Sequence, residues 1–185
     1  MVTSLCVFLG ARFGNRPEYA EAAQALGAEM ARRGLHLVYG GGGIGLMGVL
    51  ADAALAAGGR VTGVIPDFLA DPEVAHRELT ELRVVASMHE RKALMAELAD
   101  GFVVLPGGLG TLEECFEVLT WAQLGVHRKP CGVLNVAGYW TSLLAFLDQA
   151  VEEGFVGKTD RAALMVETTV ARLLDRFQVE SPEAP

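Results

Sequence analysis

The 185-residue chain lacks the features that mark several large classes of protein. Its three cysteines (Cys6, Cys115 and Cys131) are far apart in apolar surroundings, which argues against a metal motif or a disulfide framework and favours buried, reduced thiols. Its four histidines show no metal spacing, and the serine-nucleophile motif GxSxG is absent. We therefore predict no metal site.

The sequence also lacks a basic excess and a long apolar run. A formal net charge of −8 argues against a nucleic-acid partner, because proteins that follow a phosphate backbone need a basic surface. The longest apolar stretch, residues 44–57, contains Asp52 and is shorter than the ~20 residues that a membrane span needs. The apolar run at residues 5–9 is too short for a signal peptide. We expect a cytoplasmic protein that binds neither nucleic acid nor membrane.

Short runs that favour buried strands alternate with runs that favour helices along the chain. Strands are predicted at residues 5–9, 35–39, 61–65, 83–85, 102–105, 131–135 and 163–166. Helices are predicted at residues 17–33, 44–57, 88–99, 111–124, 139–153 and 170–177. This order predicts an α/β fold, a mostly parallel sheet with helices on both faces. We expect one domain over residues 1–177 and a frayed tail over residues 178–185.

Three glycine-rich loops follow predicted strands, and the one at residues 106–111, PGGLGT, is the strongest local signal. Ligands bind at the carboxyl ends of strands in an open parallel sheet, where such loops lie. Gly107, Gly108 and Gly110 permit a tight turn and the close approach of an anion. Amides at the start of the next helix, with the hydroxyl of Thr111, would hold a phosphate. The alternative is that these glycines only form a tight turn.

Glu114 and Arg91 are the candidates for chemistry, and each has a structural alternative. The run TLEE at residues 111–114 matches a capping box, in which Glu114 would bond back to the helix start. Arg91 lies one turn from Met88 and Met95, and an arginine on an apolar stripe is unusual unless it meets an anion or a carboxylate. It could also extend its charged end to water from the helix edge.

A second glycine run, YGGGGIGLMG at residues 39–48, contains GxGxxG in two registers. Alone, this motif would indicate a dinucleotide-binding site. It follows the second predicted strand, however, and a separate phosphate loop exists elsewhere. We interpret the run as a wall of the nucleotide pocket, where close backbone approach leaves room for sugar and base.

Together, PGGLGTLEE, SMHERKALM, VYGGGGIGLMG and TWAQLGVHRKPCGVLN resemble the Lonely Guy family of phosphoribohydrolases, formerly called possible lysine decarboxylases. The likeness runs from about residue 7 to residue 155. It implies a Rossmann-like, doubly wound fold and a homodimer, to which the high mean hydropathy of +0.33 also points. The implied activity is cleavage of adenine-type (cytokinin riboside) 5′-monophosphates to free base and ribose 5-phosphate, without a cofactor.

The resemblance also assigns roles to residues. Catalysis falls to Arg91 and Glu114. The phosphate is assigned to the glycine loop, at Gly107, Gly108, Gly110 and Thr111. Beyond these roles, we assign the sugar and base to Gly41, Gly42, Gly43, Met88 and Lys92. One loop departs from the family, because residues 10–14 read GARFG where serines are usual, so that Arg12 would replace hydroxyl contacts with a charged one.

Other functions remain open at this stage. A carrier that binds a nucleotide or phosphorylated cofactor without chemistry would also use the phosphate loop, although it would gain nothing from Glu114 near the anion. An NAD-dependent dehydrogenase would need a partner domain for which the chain has no room. An amino-acid decarboxylase that uses pyridoxal would need a buried Schiff-base lysine, and Lys92, Lys129 and Lys158 show no such setting.

Overall fold

The structure is a computed structural model that describes residues 2–71 and 73–179. The strands are β1 (Ser4–Phe8), β2 (His36–Tyr39), β3 (Val61–Pro66), β4 (Glu81–Val85), β5 (Gly101–Val104), β6 (Cys131–Leu134) and β7 (Leu164–Glu167). The helices are α1 (Pro17–Arg32), α2 (Gly45–Ala56), α3 (Met88–Leu98), α4 (Leu109–Gln123), α5 (Thr141–Glu152), α6 (Lys158–Ala163) and α7 (Val170–Val179). Two short 3-10 turns lie at Asp67–Leu69 and Val136–Gly138.

The seven strands form one parallel sheet in the order β4-β3-β2-β1-β5-β6-β7. The chain builds outward from β1 to β4 and then returns to β5 on the other side of β1. The loops after β1 and β5 therefore lead in opposite directions, which leaves a crevice at the carboxyl ends of these strands. Such a crevice is the usual place for a ligand in an open α/β sheet.

The central strands supply side chains to two cores, one on each face of the sheet. Leu5 and Val7 of β1 pack in the core that contains α1, α2 and α7 residues, whereas Cys6 and Phe8 pack with residues of α3, α4 and α5. This division follows from the alternation of side chains along a strand. Because helices cover both faces, β1 and β5 are apolar and buried along their length. The predicted doubly wound α/β fold is confirmed.

The structure corrects several predicted bounds. β4 begins at Glu81 rather than residue 83, and α6 was not predicted. α4 begins at Leu109, two residues before the predicted start, because the turn after β5 is tighter than the sequence indicated. α7 continues through Val179, where fraying was expected, and residues 180–185 of the predicted tail lie outside the described residues. In the described part of the chain, no helix is long and apolar enough to cross a membrane.

Candidate functional site

A cavity of about 600 Å³ opens at the crevice between β1 and β5. Residues 9–14, after β1, and residues 106–111, after β5, both line this cavity. The two loops are joined at their base, where the Gly10 amide donates a hydrogen bond to the Pro106 carbonyl at 3.1 Å. The volume is in the range that small-molecule sites occupy.

The glycine loop predicted to hold a phosphate lines this cavity. A methyl group at Gly107 would overlap the Thr111 hydroxyl and would lie 2.9 Å from the Gly10 amide nitrogen, so only glycine fits there. Beside Gly108 and Gly110, by contrast, a methyl group would meet no protein atom within 4 Å. Packing therefore requires only the first of these glycines. The open space beside the other two is compatible with the approach of a ligand to the backbone.

The helix that follows the loop begins without a side-chain cap. The N-cap residue of α4 is Gly108, whose backbone is extended, and no side chain accepts a hydrogen bond from the first amides. Thr111 lies inside the helix and is buried. The capping-box alternative for Thr111 and Glu114 is therefore wrong, because the helix begins before the threonine. The first amides of α4 keep their capacity to bind an anion.

The Arg91 side chain is fixed by hydrogen bonds to two backbone carbonyl groups, one in β3 and one just after β2. Its Nε donates to the Val64 carbonyl at 3.0 Å, and its Nη2 donates to the Gly40 carbonyl at 3.1 Å. A methyl group at Gly40 would overlap this guanidinium group, which explains the glycine at that position. Arg91 is only 7% exposed, so the alternative of an arginine that extends to water is wrong.

The remaining nitrogen of Arg91 faces Glu114. Arg91 Nη1 lies 3.7 Å from Glu114 Oε1, and both side chains line the cavity. This distance permits an ion pair but exceeds that of a good hydrogen bond. The predicted meeting of Arg91 with a carboxylate is thus observed. The pair retains hydrogen-bonding capacity toward a molecule in the cavity.

Burial changes the acidity of Glu114. Its side chain is 7% exposed, and this desolvation raises its pKa to about 7, although the positive charge of Arg91 acts in the opposite direction. A carboxyl with a pKa near neutrality exchanges its proton readily at physiological pH, as a general acid or base must. The site therefore combines a helix start that has no side-chain cap with a group suited to proton transfer.

The structure gives other partners to four residues that were assigned to sugar and base. Gly41, Gly42 and Gly43 lie against the connection between β3 and β4: the His76 amide donates to the Gly41 carbonyl at 2.9 Å, and the Gly43 amide donates to the Val74 carbonyl at 2.7 Å. They are not among the residues that line the cavity. Their contact with a substrate stays a prediction.

Lys92, like the three glycines, has other partners, whereas Met88 does line the cavity. The Lys92 ammonium group forms ion pairs with Glu113 and, at 3.1 Å, with Glu117. Met88, one turn earlier on α3, lines the cavity as predicted, and Leu46 and Met47 from the start of α2 line it as well. The glycine run thus contributes to the wall through the residues at its helical end.

Sequence reasoning missed an aromatic part of the wall. Tyr139, predicted as the first residue of a helix, lies in the cavity wall, and its hydroxyl donates to the Gly107 carbonyl at 2.6 Å. Its ring meets that of Tyr19 edge-on, with ring centres 5.5 Å apart. The available signal was position, since Tyr139 follows β6 at the same carboxyl edge as the glycine loop. Tyr139 fixes the orientation of the peptide group between Gly107 and Gly108.

Comparison with known proteins places this site in a family. The family described as "Possible lysine decarboxylase" matches residues 47–177, which include Arg91 and the whole glycine loop. The chain belongs to this family. Its resemblance to Lonely Guy proteins is confirmed by a cytokinin riboside 5′-monophosphate phosphoribohydrolase of Arabidopsis thaliana, which is 49% identical over 97% of this chain and 82% of its own length. The enzyme of the same name from Rhodococcoides fascians is 54% identical over 88% of this chain and 83% of its own length.

Solved structures extend the likeness at the level of the fold. A molybdenum cofactor binding protein from the phototrophic bacterium Rippkaea orientalis superposes with a TM-score of 0.72 over 97% of each chain, at 19% identity. At this low identity the comparison shows the shared Rossmann-like fold. It does not transfer a ligand to this Lonely Guy chain.

The substitution Glu114→Gln is expected to flatten the pH dependence of stability between about pH 4.5 and pH 7. Burial raises the Glu114 pKa from 4.5 to about 7, so the folded protein holds this proton more tightly than the unfolded chain does. The resulting stabilisation is fully present below the unfolded-state pKa and is lost as the pH rises through about 7. Urea unfolding of both proteins at pH 4.5 and pH 8 measures the difference. An unchanged loss of stability in the variant would contradict the assigned pKa.

Proposed function

We propose that this protein hydrolyses the N-glycosidic bond of adenine-type nucleoside 5′-monophosphates, AMP or its N6-modified cytokinin forms, and releases the free base and ribose 5-phosphate. The observation that carries the proposal is the buried Arg91–Glu114 pair on the wall of a cavity that also contains the first turn of α4. The printed names of the relatives, which are about 50% identical, describe the same reaction.

In this proposal the phosphate is held at the start of α4. The amides of Gly108 and Gly110, the hydroxyl of Thr111 and the positive end of the helix dipole all favour an anion there. Gly107 permits the turn that presents these groups. The Tyr139 hydroxyl donates a hydrogen bond to the Gly107 carbonyl at 2.6 Å and so fixes that peptide group. Binding energy from the phosphate would orient the sugar for reaction, so nucleosides without phosphate should react poorly.

Glu114 would act on the other end of the ribose. As the bond between the anomeric carbon and the base nitrogen breaks, positive charge develops on the sugar. A carboxylate beside that carbon stabilises the charge and accepts a proton from water as the water oxygen bonds to the carbon, while the departing base takes up a proton from solvent. Arg91, which donates to two backbone carbonyls and lies 3.7 Å from Glu114, would hold the carboxylate and the phosphosugar in position.

The remainder of the cavity suits a nucleotide base. Leu46, Met47 and Met88 give an apolar wall, and Tyr19 and Tyr139 add aromatic surface. Such a wall accepts a flat heteroaromatic ring and removes it from water. The predicted role of Met88 as a base or sugar contact fits this arrangement.

Two alternatives from the sequence have less support. A phosphate carrier would gain nothing from a carboxyl with a pKa near 7 beside its anion. A pyridoxal-dependent decarboxylase would need a lysine amine in the site, yet the amine of Lys92 is ion-paired and that of Lys129 donates to the Ala96 carbonyl at 2.7 Å. Among the described residues, no lysine lines the cavity.

Replacement of Glu114 by glutamine is expected to lower turnover of AMP by about 10²–10⁴-fold, because the amide cannot accept a proton from water. Chromatography of adenine and ribose 5-phosphate measures the rate. The matched control is Glu152→Gln, which removes an exposed carboxylate at the end of α5, outside the cavity wall. Near-wild-type turnover by a folded Glu114→Gln protein would exclude Glu114 from the mechanism. If the unaltered protein releases no base from AMP or its N6-isopentenyl form, the proposed function is wrong.

The pH profile of kcat/KM should rise with pH through about 7. The reactive form in this mechanism is the carboxylate, and burial raises the pKa of Glu114 to that value. Protonation at lower pH therefore removes the base that water needs. Initial rates from pH 5 to pH 9 at low AMP concentration test this. A profile that falls as the pH rises through 7 would reverse the assigned role and make Glu114 a general acid.

We also propose that the protein is a cytoplasmic homodimer. Large apolar side chains are exposed at the end of α4 and just beyond it, with Leu124 at 72% and Val126 at 68%. Exposed apolar residues mark an interface where they form a contiguous patch. The three free, buried cysteines are compatible with a reducing compartment.

The dimer proposal predicts that Leu124→Glu gives a monomer, because a charge would be placed in the shared apolar surface. Light scattering after size-exclusion chromatography measures the mass. Phe155→Glu is the control, since Phe155 is 86% exposed just after α5 and is not part of the proposed interface. A wild-type mass equal to one chain, or an unchanged dimer in Leu124→Glu, would contradict the proposed interface.

A further inference from the structure

Arg12 is a charged side chain in the wall of the cavity. It belongs to the loop after β1, lines the cavity and is exposed. Its guanidinium group has no hydrogen bond or ion pair with any other residue that the structure describes. An arginine side chain is flexible and carries five hydrogen-bond donors. An arginine without a partner in a cavity wall can therefore turn toward a ligand and bind it.

The backbone that carries Arg12 is closely packed, although the side chain is not. A methyl group at Gly45 would lie 2.6 Å from the Arg12 amide nitrogen, and one at Gly10 would lie 3.1 Å from the Arg12 carbonyl oxygen. The same methyl group at Gly10 would lie 3.3 Å from Gly107 Cα. The backbone of this loop is therefore in close contact with the start of α2 on one side and with the glycine loop on the other. Arg12 therefore starts from a fixed backbone position beside the glycine loop that leads into α4.

Few positive charges surround the cavity to bind an anion. Besides Arg12, the only cation in the described wall is Arg91, and it faces Glu114. Glu113 also lines the cavity, and the protein has a formal net charge of −8. The helix start supplies only about half a positive charge. A phosphate monoester, which carries up to two negative charges, needs a further cation, and a guanidinium group can donate two parallel hydrogen bonds to it.

We propose that Arg12 binds the 5′-phosphate of the substrate together with the first turn of α4, and so makes the enzyme select nucleotides over nucleosides. The proposal rests on the proposed function, because it names the residue that reads the phosphate in that reaction. Arg12 takes no part in bond breaking at the anomeric carbon. Its role is binding.

Arg12→Ala is expected to lower kcat/KM for AMP by about 10- to 100-fold, the effect of losing a hydrogen bond to a charged group. The residual kcat/KM for adenosine, which has no phosphate, should stay unchanged. Arg12→Lys should recover part of the loss, since it restores the charge but not the paired donors. Arg16→Ala is the control: Arg16 lies four residues later, donates to the Ala137 carbonyl at 3.4 Å and is outside the cavity wall.

Two results would overturn the proposal. One is an Arg12→Ala protein with wild-type kcat/KM for AMP. The other is an equal loss for AMP and adenosine, which would mean that Arg12 supports the loop or the base site. Calorimetric titration with ribose 5-phosphate separates this proposal from the proposed function, because it needs no turnover. One outcome would be that the unaltered protein binds ribose 5-phosphate about 10- to 100-fold more tightly than Arg12→Ala and yet cleaves no nucleotide. In that case the role of Arg12 in phosphate binding is confirmed, and only the proposed hydrolysis is wrong.

Discussion

The site depends on one buried guanidinium group. Arg91 donates to the carbonyls of Gly40, just after β2, and of Val64 within β3, and it faces Glu114 on α4. A buried charge is costly unless hydrogen bonds and an opposite charge compensate it, and here both are present. The same contacts join the two halves of the sheet at the crevice. Loss of the arginine would leave two carbonyls and a carboxyl group without their partner.

This arrangement keeps Glu114 reactive instead of neutralising it. A close, bidentate ion pair would lower the pKa of the carboxyl group and stabilise its charge, whereas a separation of 3.7 Å lets the effect of burial dominate. The resulting pKa of about 7 reduces stability at neutral pH, since the folded protein then contains a partly ionised, poorly solvated carboxyl group. A purely structural residue would gain nothing from this. The destabilisation is understandable if the carboxyl group must exchange a proton.

Local pattern was sufficient for most of the fold but not for the contacts across it. The repeated order of strands and helices predicted the layers, and the glycine loop at residues 106–111 was identified because its spacing is short and specific. The start of α4 was misplaced because TLEE also fits a capping box, and only the observed turn decides between them. The fit of Gly40 against Arg91, and the bond from Tyr139 to Gly107, join residues more than 30 positions apart. Such contacts depend on strand order, which periodicity does not encode.

The placement of the candidate groups on two separate elements explains how such a site could change its ligand while the acidic pair stays in place. The first turn of α4 and Glu114 belong to one helix, in which the Cα atoms of Leu109 and Glu114 are separated by about 7.5 Å along the axis. That backbone spacing is set by helical geometry and not by a loop. Residues 9–14, which also line the cavity, belong to a different element and contain no residue of the Arg91–Glu114 pair. In the proposed reaction, substitutions in residues 9–14 would alter which phosphorylated ligand is held and would leave the spacing within α4 unchanged.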